Sequence, residues 1–337
     1  MAVSAKTIAK ELGLSQATVS LALRNMSGIS EDTRKKVLEK ATELGYRKTV
    51  VSSADTSRFI SLVIYRKYGL MGSDNPFFTL LAQAIDYEAK KAGYQVLISY
   101  FYSDQNIQDQ LFALKNTACV GIILLATEMS DEDMALFQSI GIPMVVLDRN
   151  TPEFDYDSIS INNSYGTQCA TEYLIRMGHT KIGYLHCDID VRNFHERMDG
   201  YYRGLAQLPH PKESSRFLIN LPLDSEEMLP AMDAWLAANP ELPTAFIADN
   251  DSTASPCVFA LQRAGYRIPE DISIIGFDDI PLSKIMQPPL TTMAVSREQL
   301  GRHAVEFLIR RIEDNPEGTV CLQVKPVLTE RGTVRKL

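Results

Sequence analysis

Short apolar runs that alternate with longer helical patterns, and then start over, constrain this chain more than any other feature. FISLVIY (59–65), YQVLISYF (94–101), VGIILLA (120–126) and IPMVVLD (142–148) are continuous enough to be strands buried on both faces. Between them, LLAQAIDYEAKKAGY and IQDQLFALKNT place apolar residues at helical spacing, and the pattern restarts at KIGYLHC (181–187), TAFIADND (244–251) and ISIIGFDD (272–279). The alternation predicts parallel sheets wrapped by helices, and the restart predicts two lobes. Several runs end in polar groups: Asp148-Arg149, Asp249-Asn250-Asp251 and Asp278-Asp279. In open parallel sheets ligands bind at the carboxyl ends of strands, so these ends are candidate ligand groups.

With 337 residues and 45% apolar content, the chain can bury a large core in two or three packed units. No apolar run approaches the ~20 residues of a membrane span. The opening MAVSAKTIAKEL carries charges where a signal peptide has its apolar stretch, so a cytoplasmic protein with no membrane partner is expected. Cys119, Cys169, Cys187, Cys257 and Cys321 are odd in number, widely spread and without a Cys-x-x-Cys pair, which suggests neither a disulfide framework nor a zinc site.

Paired acids such as Asp278-Asp279, or Asp249 with Asp251, could suggest metal-assisted hydrolysis. Adjacent residues on a strand point to opposite faces, however, so only one of a neighbouring pair enters a cleft, and metal binding is a minor option. The same alternation argues against Cys187 beside His186 as a nucleophile pair. His179, His186, His195, His210 and His303 form no His-x-x-x-His pair, and His179 is expected to pack or cap at a loop. No catalytic constellation, metal or cofactor is expected, and the chain is read as a non-enzyme.

The net charge of -8 hides an asymmetry: residues 1–50 carry nine Lys and Arg against five Asp and Glu, which is +4 and leaves -12 for the rest. A basic end on an acidic body suits contact with a polyanion, and charge alone suits a solvated basic surface equally well. The pattern of that end is more specific. Ile8, Ala9 and Leu12 fit a short helix ending at Gly13; Ser15 caps a second with Val19, Ala22 and Leu23 inward; Ser30 caps a third with Val37, Leu38, Ala41 and Leu44 inward, closing at Gly45. The second helix shows short or uncharged side chains outward: Ser15, Gln16, Ala17, Thr18, Ser20 and Leu21. Such a face can enter the major groove, with Gln bonding a base edge and the hydroxyls bonding phosphates.

AKTIAKELGLSQATVSLAL followed by GISEDTRKKVLEKATELGY resembles the headpiece of the lactose/galactose repressor (LacI/GalR) family of bacterial transcription regulators. The resemblance runs on through NPFF (75–78), LDRN (147–150), GHTKIGYL (178–185), ERMDGY (196–201), NDSTA (250–254), IPEDISIIGFDD (268–279), PPLTT (288–292) and ERGT (330–333), covering nearly the whole chain. It implies an all-α helix-turn-helix headpiece on an α/β two-lobed body similar to periplasmic sugar-binding proteins (type I). The implied division is 1–48 headpiece, 49–58 linker and 59–337 body, with one lobe near 59–161 and 292–321 and the other near 162–291 and 322–333.

The resemblance also implies function. Gln16, Ala17 and Leu21 would face base edges of an operator half-site, with Lys6, Thr7, Ser15, Thr18, Ser20, Arg24 and Tyr46 completing the DNA contacts. Leu21 stands where many members carry Arg, and Arg24 where many carry Asn, so the half-site preference does not transfer. Asp148, Arg197, Asn250 and Asp278 would hold an effector beside Phe77 and Phe78, while Arg149 either recognises an anionic ligand or neutralises Asp148. A sugar or sugar derivative is the expected effector, with a nucleobase or nucleoside as runner-up.

A homodimer on double-stranded operator DNA is expected, because one headpiece buries too little surface for specific binding and ERGTVRKL is not followed by a leucine-rich tail. The alternative is a ligand-binding module whose headpiece docks a protein. The linker departs from the family: after Gly45-Tyr46 comes RKTVVSSADTSRF, without the usual Pro-Asn and with Asp55 near the position of the leucine that wedges into the minor groove. An Asp there would meet phosphate repulsion, so an atypical hinge is expected.

Overall fold

The computed structural model describes residues 5–15, 18–19, 22, 29–43, 58–70 and 76–337, and the chain divides into two compact units, Met1–Ser57 and Arg58–Leu337. In the first unit the helix Ala5–Leu12 stops at Gly13, whose φ of 63° lets the Leu14 N–H reach back to the Ala9 carbonyl at 3.0 Å. Ser15 Oγ then accepts from the Thr18 N–H at 3.0 Å, and Ser30 Oγ accepts from the Thr33 N–H at 3.2 Å to cap the helix Glu31–Glu43. Ile8, Ala9, Val19, Ala22, Val37 and Ala41 form the buried core of this unit, with Leu12, Leu14 and Ile29 packed against it. Leu23, Leu44 and Gly45 lie outside the described residues, as does the linker stretch 49–57 with Asp55. Arg58, expected to close that linker, opens the first strand of the second unit.

The second unit holds two six-stranded sheets. The first contains β1 (Arg58–Arg66), β2 (Tyr94–Tyr102), β3 (Cys119–Leu125), β4 (Met144–Leu147), β5 (Asp157–Ile161) and β11 (Cys321–Val324), in the order β11-β5-β4-β3-β1-β2, all parallel. The second contains β6 (Ile182–Cys187), β7 (Leu218–Leu221), β8 (Ala245–Ala248), β9 (Ser273–Asp278), β10 (Thr291–Ala294) and β12 (Val327–Thr329), in the order β12-β10-β9-β8-β6-β7. Its edge strand β12 runs antiparallel to β10, an exception to the parallel pattern. Helices such as Pro76–Lys91 and Arg297–Glu313 cover the first sheet, and Asn163–Arg176 packs on the second.

The chain passes from one sheet to the other three times: after β5, between β10 and β11, and between β11 and β12. The lobe boundaries therefore shift from those expected. Residues 292–294 belong to β10 in the second sheet, and 322–324 belong to β11 in the first. β10 and β11 are four residues each, too short to show a period, so neither crossing is marked by composition.

One helix pair is set by a glycine. The helices Asn163–Arg176 and Arg192–Leu205 approach so closely at Gly200 that a Cβ there would lie 2.1 Å from the Ser164 carbonyl oxygen. That approach brings Arg197, one turn earlier, within reach of Asn163 at the start of the neighbouring helix.

Candidate functional site

Asp148 follows β4 in the first sheet; Asp278 ends β9 and Asn250 follows β8 in the second. Asp148 (φ 61°) and Asp278 (φ 103°) both adopt left-handed backbone that non-glycine residues rarely take, a strain typical of residues whose direction matters. Their side chains meet across one small cavity of about 20 Å³. Phe77, Phe78, Arg197 and Asn250 line it with them, together with Thr127, Asn193 and Phe194. This volume holds about one water, so the cavity's walls are close to contact.

The polar network inside is dominated by Arg197, which is 4% exposed. Its Nε donates to Asn163 Oδ1 at 2.9 Å, Nη1 to the Asp249 carbonyl at 2.5 Å, and Nη2 to Asp278 Oδ1 at 3.3 Å. The guanidinium also lies 3.8 Å from the Phe277 ring centroid, a stacked position that fixes its plane. On the opposite wall, Thr127 Oγ1 donates to Asp148 Oδ2 at 2.6 Å and Asn193 Nδ2 donates to the Asp148 carbonyl at 3.2 Å. Asp148 Oδ1 is buried and has no hydrogen-bond partner among the described residues.

Burial pushes the Asp148 carboxyl up to about 7, against the pull of Thr127 and Arg197. Burial also raises Asp278, against Arg197 and Arg297. Arg197 pairs with Asp278 and not with Asp148, and the Asp148 oxygen left over is the one a ligand donor would satisfy. Phe77 and Phe78 pack edge to face with centroids 5.3 Å apart. Asn250 is the N-cap of the helix Asp251–Arg263: its Oδ1 accepts from the Thr253 N–H at 2.8 Å and from Thr253 Oγ1 at 2.9 Å.

Arg149 is not brought into this cavity, and it does not pair with Asp148. Its guanidinium donates to the Met129 carbonyl and to Asp131, beside Arg192 of the helix Arg192–Leu205. Neither role expected for it fits that position. Asp148 and Arg149 follow one another at a strand end, and the positive φ of Asp148 turns the two side chains apart.

The neighbouring acids have separate work. Asp249 accepts from Tyr184 Oη at 2.8 Å, His186 Nδ1 at 2.8 Å and the Cys187 N–H at 2.7 Å. Asp279 turns to Arg331 and Lys284. Asp251 accepts from Ser283 and Thr292 hydroxyls, each at 2.6 Å, and from the Ile280 N–H. Burial drives the Cys187 thiol up to about 12, far from a reactive thiolate. His179 is buried, with its ring nitrogens 2.9 Å from Thr244 Oγ1 and 3.2 Å from the Arg335 carbonyl. Among the described residues no His, Cys, Asp and Glu cluster is placed to hold a metal ion, and no helix is long and apolar enough to cross a membrane.

Thr127, Asn163, Asn193 and Phe194 escaped the sequence reading. Asn193 and Phe194 stand four and three residues before Arg197 on one helix, so the helical face that carries Arg197 could have pointed to them. In the headpiece, Ser15 Oγ lies 2.8 Å from Thr18 Oγ1, so the two hydroxyls expected at phosphates are already linked to each other. Of Lys6 and Thr7 only the backbone, on the helix Ala5–Leu12, is described. Gln16, Ala17, Ser20, Leu21, Arg24 and Tyr46 lie outside the described residues.

A helix-turn-helix headpiece joined to a two-lobed, periplasmic-binding-protein-like (type I) body defines the class of ligand-responsive, DNA-binding transcription regulators. Residues 5–49 match the description "Bacterial regulatory proteins, lacI family", and residues 171–334 match "Periplasmic binding protein-like domain". The HTH-type transcriptional repressor PurR of Aliivibrio salmonicida is 29% identical, over 98% of this chain and 99% of its own. Two solved structures share the fold, each with a TM-score of 0.72 and 22% identity. They are the transcriptional regulator CelR–cellobiose complex (98% of this chain, 99% of that one) and the lac repressor dimer bound to operator and the anti-inducer ONPF (99% and 100%). The chain thus joins a LacI-family helix-turn-helix headpiece to a periplasmic-binding-protein-like body, the make-up of LacI/GalR transcription regulators.

Proposed function

We propose that this repressor binds a palindromic operator as a symmetric homodimer in the cytoplasm and is switched by a small molecule, a sugar or sugar derivative, held between its lobes. The observation that carries the effector reading is the buried, unpartnered Asp148 Oδ1, facing a cavity whose other wall carries Asp278 and Arg197. Carboxylates accept from sugar hydroxyls, Arg197 and Asn250 donate to ring or hydroxyl oxygens, and Phe77 and Phe78 take an apolar face. The likeness to a CelR–cellobiose complex supports the sugar reading. Phe194 beside the Phe77–Phe78 pair favours a second reading, a flat nucleobase or nucleoside.

The domain roles follow: 1–48 for DNA, 49–58 as linker, and the remainder for effector and dimerisation. Ile98 and Tyr100, half exposed on the edge strand β2, support a dimer contact on the body. Gln16, Ala17 and Leu21 would read bases, and Lys6, Thr7, Ser15, Thr18, Ser20, Arg24 and Tyr46 would hold the backbone. Because the walls of the cavity nearly touch, a ligand enters only if the lobes part, which couples occupancy to the separation of paired headpieces.

The test is a thermal-shift screen of the full chain against sugars, sugar phosphates and nucleosides, with duplex-DNA binding measured by fluorescence anisotropy at graded salt. A ligand at a hundred times its Kd stabilises by about 2.7 kcal/mol. Affinity for duplex that falls steeply with salt supports the DNA reading over a headpiece that docks a protein. Salt-independent or absent duplex binding overturns it.

A further inference from the structure

Resting on the effector reading above, we infer that the effector is an unphosphorylated molecule of two parts. A donor-rich head sits between Asp148 and Asp278, and a second ring or chain, neutral or cationic, lies in the groove beside them.

The groove has a volume of about 1010 Å³ and is continuous with the small cavity, since Leu70 and Asn250 line both. A molecule anchored at Asp148 therefore finds room for its second part on this side. The groove walls are apolar at Leu223, Met228 and Phe259 and acidic at Asp224 and Glu227. Among the described residues no Lys, Arg or His lines it.

Among the described residues lining the cavity the one cation is Arg197, and three of its five N–H donors are already used within the protein. Helix starts are the other usual phosphate cradle. Of the helix starts that line the groove and the cavity, two are filled by side chains. Asn250 Oδ1 occupies the Thr253 N–H at 2.8 Å in one, and Asp224 Oδ1 occupies the Glu226 N–H at 2.8 Å in the other. A phosphate would thus face Asp148, Asp278, Asp224 and Glu227, with no cation among the described residues of the groove to offset them. A head that donates N–H or O–H to Asp148 Oδ1, 98% buried by residue, satisfies a buried acceptor that has no partner among the described residues.

Matched pairs test this on the full chain by thermal shift and equilibrium dialysis: glucose against glucose 6-phosphate, cellobiose against glucose, adenosine against AMP, and adenosine against adenine. The expected result is stabilisation by at least one unphosphorylated member, at least tenfold weaker binding of its phosphorylated partner, and tighter binding of the two-ring member than of its one-ring fragment. Glu227→Lys, on an exposed groove position, should raise the affinity for the phosphorylated member several-fold. Equal or tighter binding of a phosphorylated member by the unaltered chain, or no stabilisation by any of these compounds, overturns the inference. Salt-sensitive duplex binding without any response to the pairs leaves the DNA-binding reading standing and sinks this one. A clear pair preference without duplex binding does the reverse.

Discussion

Replacing Asp148 with Asn should make the repressor more stable while blinding it to effector. Burial raises this carboxyl from 3.8 to about 7. The sign follows from proton linkage: the folded value exceeds the unfolded one, so folding takes up a proton between these limits. The stability tied to the group is full below about pH 4 and is lost as pH rises through 7. At about 1.4 kcal/mol for each tenfold change in proton affinity, this rise amounts to at most about 4 kcal/mol above pH 7. Asn keeps the shape and an acceptor for Thr127 Oγ1, and it never carries the charge. The gain of Asp148→Asn should therefore be at most about 4 kcal/mol at pH 8 and about half that at pH 5.5. Urea unfolding followed by the fluorescence of Trp235, the single tryptophan, measures it, because that ring packs on Phe246 inside the body. Equal or lower stability of the variant at pH 8, or a gain that does not shrink toward acid, refutes the reasoning.

Three further outcomes are expected. Arg197→Met leaves Asp278, Asn163 Oδ1 and the Asp249 carbonyl buried without their donor, and should cost about 3–5 kcal/mol in the same urea assay. Gly276→Ala would set a Cβ 2.1 Å from Asp251 Oδ1, so the hydroxyl cluster of Ser283 and Thr292 must shift; a loss of about 1–3 kcal/mol is expected by calorimetry. Ser15→Ala removes the acceptor of the Thr18 N–H and should destabilise the headpiece by about 1 kcal/mol, read as weaker duplex binding with the body transition unchanged.

How far the sequence discloses this fold depends on strand length and polarity. β1, β2, β3, β6 and β9 are runs of six or more residues, mostly apolar, and stand out against the helical pattern around them. β5 does not, because DSISI buries Ser158 and Ser160 in the sheet as fully as its isoleucines. β7, β10, β11 and β12 have three or four residues and owe their conformation to the neighbours they pair with. At the cavity, strand-end acids are visible as a class, but which of them face the ligand side is decided by backbone turns. Asp148 and Asp278 gather with Arg197, whereas Arg149, Asp249 and Asp279 turn to other partners. Arg149 shows the limit: its partner Asp131 starts the helix before β4, and nothing in LDRN indicates it.

The interleaving of the two sheets has a consequence for synthesis. β11 and β12 are adjacent in sequence, and each completes the edge of a different sheet. Residues just beyond them stitch the second lobe: Thr333 Oγ1 bridges the Ile274 carbonyl and the Thr291 N–H, and the Leu337 N–H reaches the Met177 carbonyl. On a ribosome that extends the chain from its amino end, the headpiece unit has emerged long before either sheet can close. Both lobes of the sensor then wait for the same final stretch. A truncation near residue 320 would accordingly leave two unfinished lobes, where in a serially arranged protein it would leave one.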